Sequence, residues 1–115
     1  MTPQQMTPRE LKDRIDRGDR LAILDVREDD ERAYCSIKPP EAVVDLHIPL
    51  GEITARADEV ASQAEGMPLV VLCHHGQRSM VAATWLTRRG MADVHNLDGG
   101  IDAWTMTVDS SVPRY

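Results

Sequence analysis

The sequence predicts an α/β domain organised around a parallel sheet. Short apolar runs rich in β-branched residues recur at 21–26, 43–48, 68–72 and 93–97. Helical patterning separates them, at a spacing of roughly 20 residues that suits crossovers between parallel strands. The run at 21–26 is nearly continuous rather than alternating, as expected of a strand covered on both faces. A chain of 115 residues can bury one core but not two, so residues 1–115 are read as one domain.

Thr7, Pro8 and Glu10 open the first helix, with Thr7 as cap, Pro8 in the first turn and Glu10 completing a capping box. Leu11 and Ile15 give it one apolar face, and Gly18 ends it. The strand at 21–26 carries one anomaly, the carboxylate of Asp25 near its carboxyl end, with Arg27 as its neighbour. One or two helical turns are expected at 30–34. Pro39 and Pro40 forbid regular structure in the segment beginning at Cys35. Pro49 stops the strand at 43–48. A helix over 52–64 follows from Ile53, Ala57, Val60, Ala61 and Ala64 at helical spacing, closed by Gly66. After the strand at 68–72, a polar loop leads to a helix over 80–89 with Val81, Ala82, Trp85 and Leu86 as its core face. A strand at 93–97, a turn at Asp98, Gly99 and Gly100, and a short helix at 101–104 complete the pattern. A leading strand near Gln4 and Met6 is weakly signalled, and the tail from Asp109 to Tyr115 has no periodicity.

A formal net charge of -6 argues against a nucleic-acid surface, and no apolar run is long enough to span a bilayer. The first residues lack the basic and apolar regions of a secretory signal. Two cysteines make no disulfide framework, so a reducing, cytoplasmic compartment is the expectation.

Chemistry concentrates after the strand at 68–72. Cys73 stands at the end of that strand, followed by His74, His75, Gly76, Gln77, Arg78 and Ser79, all polar or glycine, and then a helix. A thiol facing inward amides, a helix amino end and a guanidinium is placed to react as a thiolate nucleophile. Gly76 lets the loop turn tightly. Arg78 is expected to attract an anionic donor and steady the thiolate. Ser79 reads as the helix cap, and His74 and His75 as loop rim. Adjacent histidines with one cysteine lack ligand spacing, so neither metal nor cofactor is expected. Asp25 and Arg27 read as supports of the loop, because a buried carboxylate needs a partner.

Four segments in order resemble the rhodanese (sulfurtransferase) family. Cys73, Gly76 and Arg78 fit its Cys-x-x-Gly-x-Arg loop. Asp25, Val26 and Arg27 fit its Asp-Val-Arg signature. His47, Ile48, Pro49, Leu50 and Glu52 fit a third segment, and Leu97, Gly99, Gly100 and Trp104 its closing motif. The resemblance implies a three-layer α/β/α fold with a central parallel sheet of about five strands. It also implies a cysteine that carries sulfane sulfur as a persulfide, taken from a small sulfur-containing anion or a protein persulfide and passed to a thiol or cyanide. The segment from Cys35 to Ala42 departs from the family in lacking its glycine, and Cys35 could be buried and inert or a resolving thiol.

Two other functions compete. Cell-cycle dual-specificity phosphatases share this fold, and arsenate reductases exist near it, but their arginine is the sixth residue after the cysteine. Arg78 is the fifth, and the shorter loop should crowd a tetrahedral oxyanion. A sulfur-relay or binding module that docks on a partner protein is the second alternative.

Overall fold

The computed structural model describes residues 2–115, and five parallel strands form one sheet in it. In chain order the elements are β1 (Gln4–Met6), α1 (Pro8–Asp16), β2 (Ala22–Asp25), α2 (Asp29–Tyr34), β3 (Val44–His47), α3 (Ala57–Gln63), β4 (Leu69–Leu72), α4 (Gln77–Arg88), β5 (Val94–Leu97) and α5 (Gly100–Thr107). The sheet order is β1-β5-β4-β2-β3, so the weakly signalled leading strand is real and forms one edge. Among the described residues no helix is long and apolar enough to cross a membrane.

Successive strand residues point to opposite faces, which divides the core in two. Ala22, Leu24, Leu69, Val71 and Val94 pack with α3 and α4 on one face. Leu21, Ile23, Val70, Leu72 and Leu97 pack on the other with Leu11 of α1 and Ile101 and Trp104 of α5. The irregular segment after α2 contributes Cys35, Ile37 and Val43 to that second layer. The expected three layers follow from this alternation.

Three local expectations need correction. The helix expected over 52–64 is broken. A 3-10 turn at Leu50–Glu52 is followed by turns, and α3 starts only at Ala57. The Ile48 and Leu50 amides donate to the Asp25 and Val26 carbonyls, so the sheet rather than helical periodicity sets the direction of this entry. At the other expected helix, α4 begins three residues early, at Gln77. Its buried stripe is Ser79, Ala82, Ala83, Leu86 and Thr87, whereas Val81 is exposed and Trp85 half-buried beneath Arg89. At α1, Thr7 caps as expected by accepting from the Glu10 amide, but the Glu10 carboxylate takes the Thr7 hydroxyl.

The rim is held by a buried ion pair. Arg27 and Asp25 are both essentially inaccessible to water. The guanidinium grips the carboxylate through Nε at 3.0 Å and Nη2 at 2.7 Å. Nη2 also donates to the Cys35 carbonyl at 2.7 Å, and Nη1 to the Tyr115 hydroxyl at 3.1 Å. These contacts matter for α2, whose six residues bury no side chain and would be marginal alone. Removing one partner leaves the other as an uncompensated buried charge. Arg27→Leu is therefore expected to lower unfolding free energy by about 3–5 kcal/mol. Asp25→Leu/Arg27→Leu should recover part of that loss, and urea denaturation of the two variants measures the difference.

Candidate active site

Cys73 follows β4 at the carboxyl rim of the sheet, where open parallel sheets present their ligands. The chain turns through His74 and His75, and Gly76 takes a left-handed conformation with φ of 105° before α4 begins. That conformation favours glycine, and it brings the Gly76 amide to the sulfur. The Gly76 N–H donates to Cys73 Sγ at 3.1 Å, and the Ser79 hydroxyl lies 3.3 Å from the same atom. The sulfur thus sits at the amino end of a 12-residue helix, where free N–H groups and the helix dipole favour negative charge. The Cys73 side chain is buried in the same layer as α4, so a donor must come in through the loop.

Ser79 is not the helix cap. It is the third residue of α4, fully buried, and its Oγ lies 2.5 Å from Asn96 Oδ1 as well as beside the sulfur. One hydroxyl proton can serve only one of these two acceptors. Asn96 in turn donates through Nδ2 to the Gly76 carbonyl at 3.2 Å and to Gln5 at 3.1 Å. Asn96 therefore braces the loop from β5. Its signal in the sequence is an amide within an otherwise buried strand, since such a group requires partners.

The loop is clasped from a second side. At the start of α5 the Ile101 amide donates to the Cys73 carbonyl at 2.9 Å, and the Asp102 amide to the His74 carbonyl at 3.1 Å. Gly100 has φ of 64°, and a Cβ there would collide with the His74 carbonyl oxygen and stand 2.6 Å from that of Cys73. Gly99 and Gly100 are thus more than a turn. Gly100 lets α5 approach the backbone of the loop, and Gly99 leaves room for the Ala103 methyl, from which a Cβ would stand 2.6 Å.

Arg78 faces across the site to α2. Its guanidinium makes a bidentate pair with Glu31 at 2.7 and 2.9 Å. Glu31 also accepts from the Tyr115 hydroxyl at 2.8 Å, and the Tyr115 ring lies flat on His74 with centroids 3.8 Å apart. Arg78 holds the Glu31 carboxyl down at about 2, with the Glu28 amide and Tyr115 acting in the same direction against burial. Burial, reinforced by Glu31, pushes the Tyr115 phenol up to about 12 despite Arg27. Burial first, and then the neighbouring His75, lower the pKa of His74. The His74 and His75 rings stack, and together with Asp102 they place three potential ligand atoms within 4.8 Å of one another. Residue spacing could not reveal that third group, which Arg114 holds at 2.9 Å. Gln77, His75 and Gly76 border a groove of about 670 Å³ that continues along Met80, Val81 and Trp85.

Asp25 and Arg27 hold α2 and the tail rather than bonding to the cysteine loop. His47 donates to the Arg27 carbonyl at 2.8 Å. Cys35 and Cys73 are both free and belong to core layers on opposite faces of the sheet. The acidic run at 28–31 reads in the sequence as a solvated helix start, yet Glu31 turns to Arg78, and Asp102 and Tyr115 likewise join the site only through tertiary contacts.

Comparison with known proteins adds to this geometry. The model of a family described as rhodanese-like domain matches residues 7–107. A protein named "Putative sulfur carrier protein YrkF" in Bacillus subtilis is 38% identical over 83% of the chain, which spans 47% of that protein. A protein of Pseudomonas savastanoi named thiosulfate sulfurtransferase GlpE is 36% identical over 74% of the chain and 73% of its own length. The crystal structure of a rhodanese-like domain protein from Staphylococcus aureus superposes with a TM-score of 0.74 at 28% identity, covering 97% of this chain and 98% of that one.

Two outcomes follow from the contacts around the loop. Gly100→Ala forces the loop and α5 apart, so a stability loss of about 2 kcal/mol or more is expected, read from the urea midpoint. The Glu31 carboxyl is lowered from 4.5 to about 2, so its contribution is fully present above pH 4.5 and disappears as pH falls through about 2. The stability difference between the native chain and Glu31→Gln should be flat above pH 4.5 and shrink below it, as followed by thermal unfolding across pH.

Proposed function

Because the chain belongs to the rhodanese-like domain family, we propose that it transfers sulfane sulfur through a persulfide on Cys73. The observation that carries this reading is the Cys73 sulfur at the amino end of α4, with the Gly76 N–H aimed at it from 3.1 Å. The names of the GlpE and YrkF relatives support the same chemistry.

In the first half-reaction the Cys73 thiolate attacks the outer sulfur of a donor. A sulfur–sulfur bond forms on Cys73 as the donor's own sulfur bond breaks. Thiosulfate then leaves as sulfite, and an organic persulfide leaves as a thiolate. In the second half-reaction a thiol or cyanide attacks the outer sulfur, and Cys73 departs as the thiolate. The product is a new persulfide or thiocyanate, and no external oxidant or reductant is needed.

The residues divide the work. The Gly76 amide and the first-turn amides of Gln77, Arg78 and Ser79 stabilise the sulfur anion, the role that preorganised backbone donors play elsewhere. Ser79 can shift its hydroxyl proton from Asn96 toward the sulfur as negative charge develops. His74 and His75 form the loop rim. Asp25 and Arg27 are positioning residues that act through α2. Metal is not required by either step. The phosphatase alternative is disfavoured because Arg78 is one residue too close to Cys73 and its guanidinium is directed to Glu31. A sulfur relay between proteins is the second reading, favoured by the exposed apolar groove beside the loop.

The test is direct. After incubation with thiosulfate, intact mass spectrometry should record the gain of one sulfur atom, and cyanide should remove it. Cys73→Ser should gain no sulfur and should lose thiocyanate formation by about three orders of magnitude or more. Thiocyanate formation at the native rate by Cys73→Ser would overturn the assignment. Loading from a protein persulfide but not from thiosulfate would favour the relay.

A further inference from the structure

We propose that Glu31 is a specificity-determining residue: it occupies Arg78 as an internal anion and biases the site toward persulfides carried on an organic thiol, against small oxyanions such as thiosulfate. This rests on the sulfur-transfer reading of Cys73.

Arg78 is the cation that the sequence offers to an anionic donor, being five residues after the nucleophile. In the structure both of its terminal nitrogens are already engaged by one carboxylate, at 2.7 and 2.9 Å. That carboxylate is itself fixed. Glu31 Oε1 also accepts from the Glu28 amide at 3.0 Å, and Oε2 from the Tyr115 hydroxyl at 2.8 Å. A carboxylate with donors on both oxygens and a place in the first turn of α2 does not swing away readily. Two further guanidiniums near the loop are committed too, Arg27 to Asp25 and Arg114 to Asp102, and Arg88 lies further along the groove at the far end of α4.

A thiosulfate dianion must therefore displace Glu31 to obtain Arg78, exchanging one bidentate carboxylate for an oxyanion of similar geometry. It also meets the Glu31 charge as repulsion. An organic persulfide needs neither exchange. The thiolate attacks its outer sulfur, Cys73–S⁻ plus R–S–SH giving Cys73–S–SH plus R–S⁻, and only the amide arc has to receive the transferred atom. The groove along Met80, Val81 and Trp85, which Glu31 does not line and where Arg88 and Asp98 carry opposite charges, leaves room for an organic carrier.

The probes are thiosulfate and cysteine persulfide, and the readout is the second-order rate of sulfur gain on Cys73 by intact mass. Glu31→Gln, which keeps an oxygen to accept the Glu28 amide, should raise the thiosulfate-to-persulfide rate ratio on the order of tenfold. In Glu31→Gln/Arg78→Gln that rise should be lost, because no cation is released. Should Glu31→Gln fold poorly, Glu31→Asp, which withdraws the carboxylate from Arg78, should move the ratio in the same direction. An unchanged or lowered ratio in the folded single variants, or a rise that persists in the double variant, overturns the proposal while leaving Cys73 chemistry intact. A native protein that gains sulfur from neither donor overturns the underlying reading instead.

Discussion

A guanidinium withdrawn completely from water must find acceptors for its donors, and Arg27 meets this demand in a way that shapes half of the site. Asp25 takes Nε and one terminal nitrogen, the Cys35 carbonyl takes that nitrogen's second bond, and Tyr115 and the Glu31 carbonyl lie on the other. The acceptors come from three parts of the chain. Satisfying one buried cation therefore fixes the end of β2, the exit of α2 and the tail at once. The consequence reaches the nucleophile's own loop, because α2 carries Glu31, and Glu31 holds Arg78.

The wall opposite α2 is built on another economy of groups. The loop after Cys73 has little regular backbone pairing of its own, so its polar atoms must be met from neighbouring elements. Asn96 reaches the Gly76 carbonyl from β5, and the first amides of α5 reach the carbonyls of Cys73 and His74. The helix α4 supplies the amide end toward the sulfur. The loop is thereby immobilised by donors on its carbonyl side while its own amide at Gly76 remains directed inward.

Much of this was legible in the residues. Continuous apolar runs identify β2 and β4, and the passage from Leu72 through Cys73 to a polar loop locates the rim and the nucleophile. Periodicity failed where long-range bonding overrides it. Ile53 and Ala57 share helical spacing, but the amides at Ile48 and Leu50 are tied to β2, so the chain turns before α3 can start. Val81 reads as part of the core face with Ala82, Trp85 and Leu86, yet Ser79 occupies the buried stripe because its hydroxyl has two partners there. Glu31 lies 47 residues from Arg78 and Tyr115 lies 41 residues from His74, beyond any local pattern. The charge of Arg78 could be read from the sequence, but its neutralising partner could not.

The approach of α5 to the nucleophile loop has a bearing on engineering. A peptide or grafted cassette spanning β4 and α4 would carry the thiol and the helix end, but not the amides of Ile101 and Asp102 that grip the carbonyls behind it. Because no side chain fits at position 100, a recipient scaffold would need a bare backbone at the same place, facing the same two oxygens. The smallest transplantable unit is accordingly close to the whole sheet, and miniaturised mimics of this centre should be sought by trimming the outer helices rather than by excising the loop.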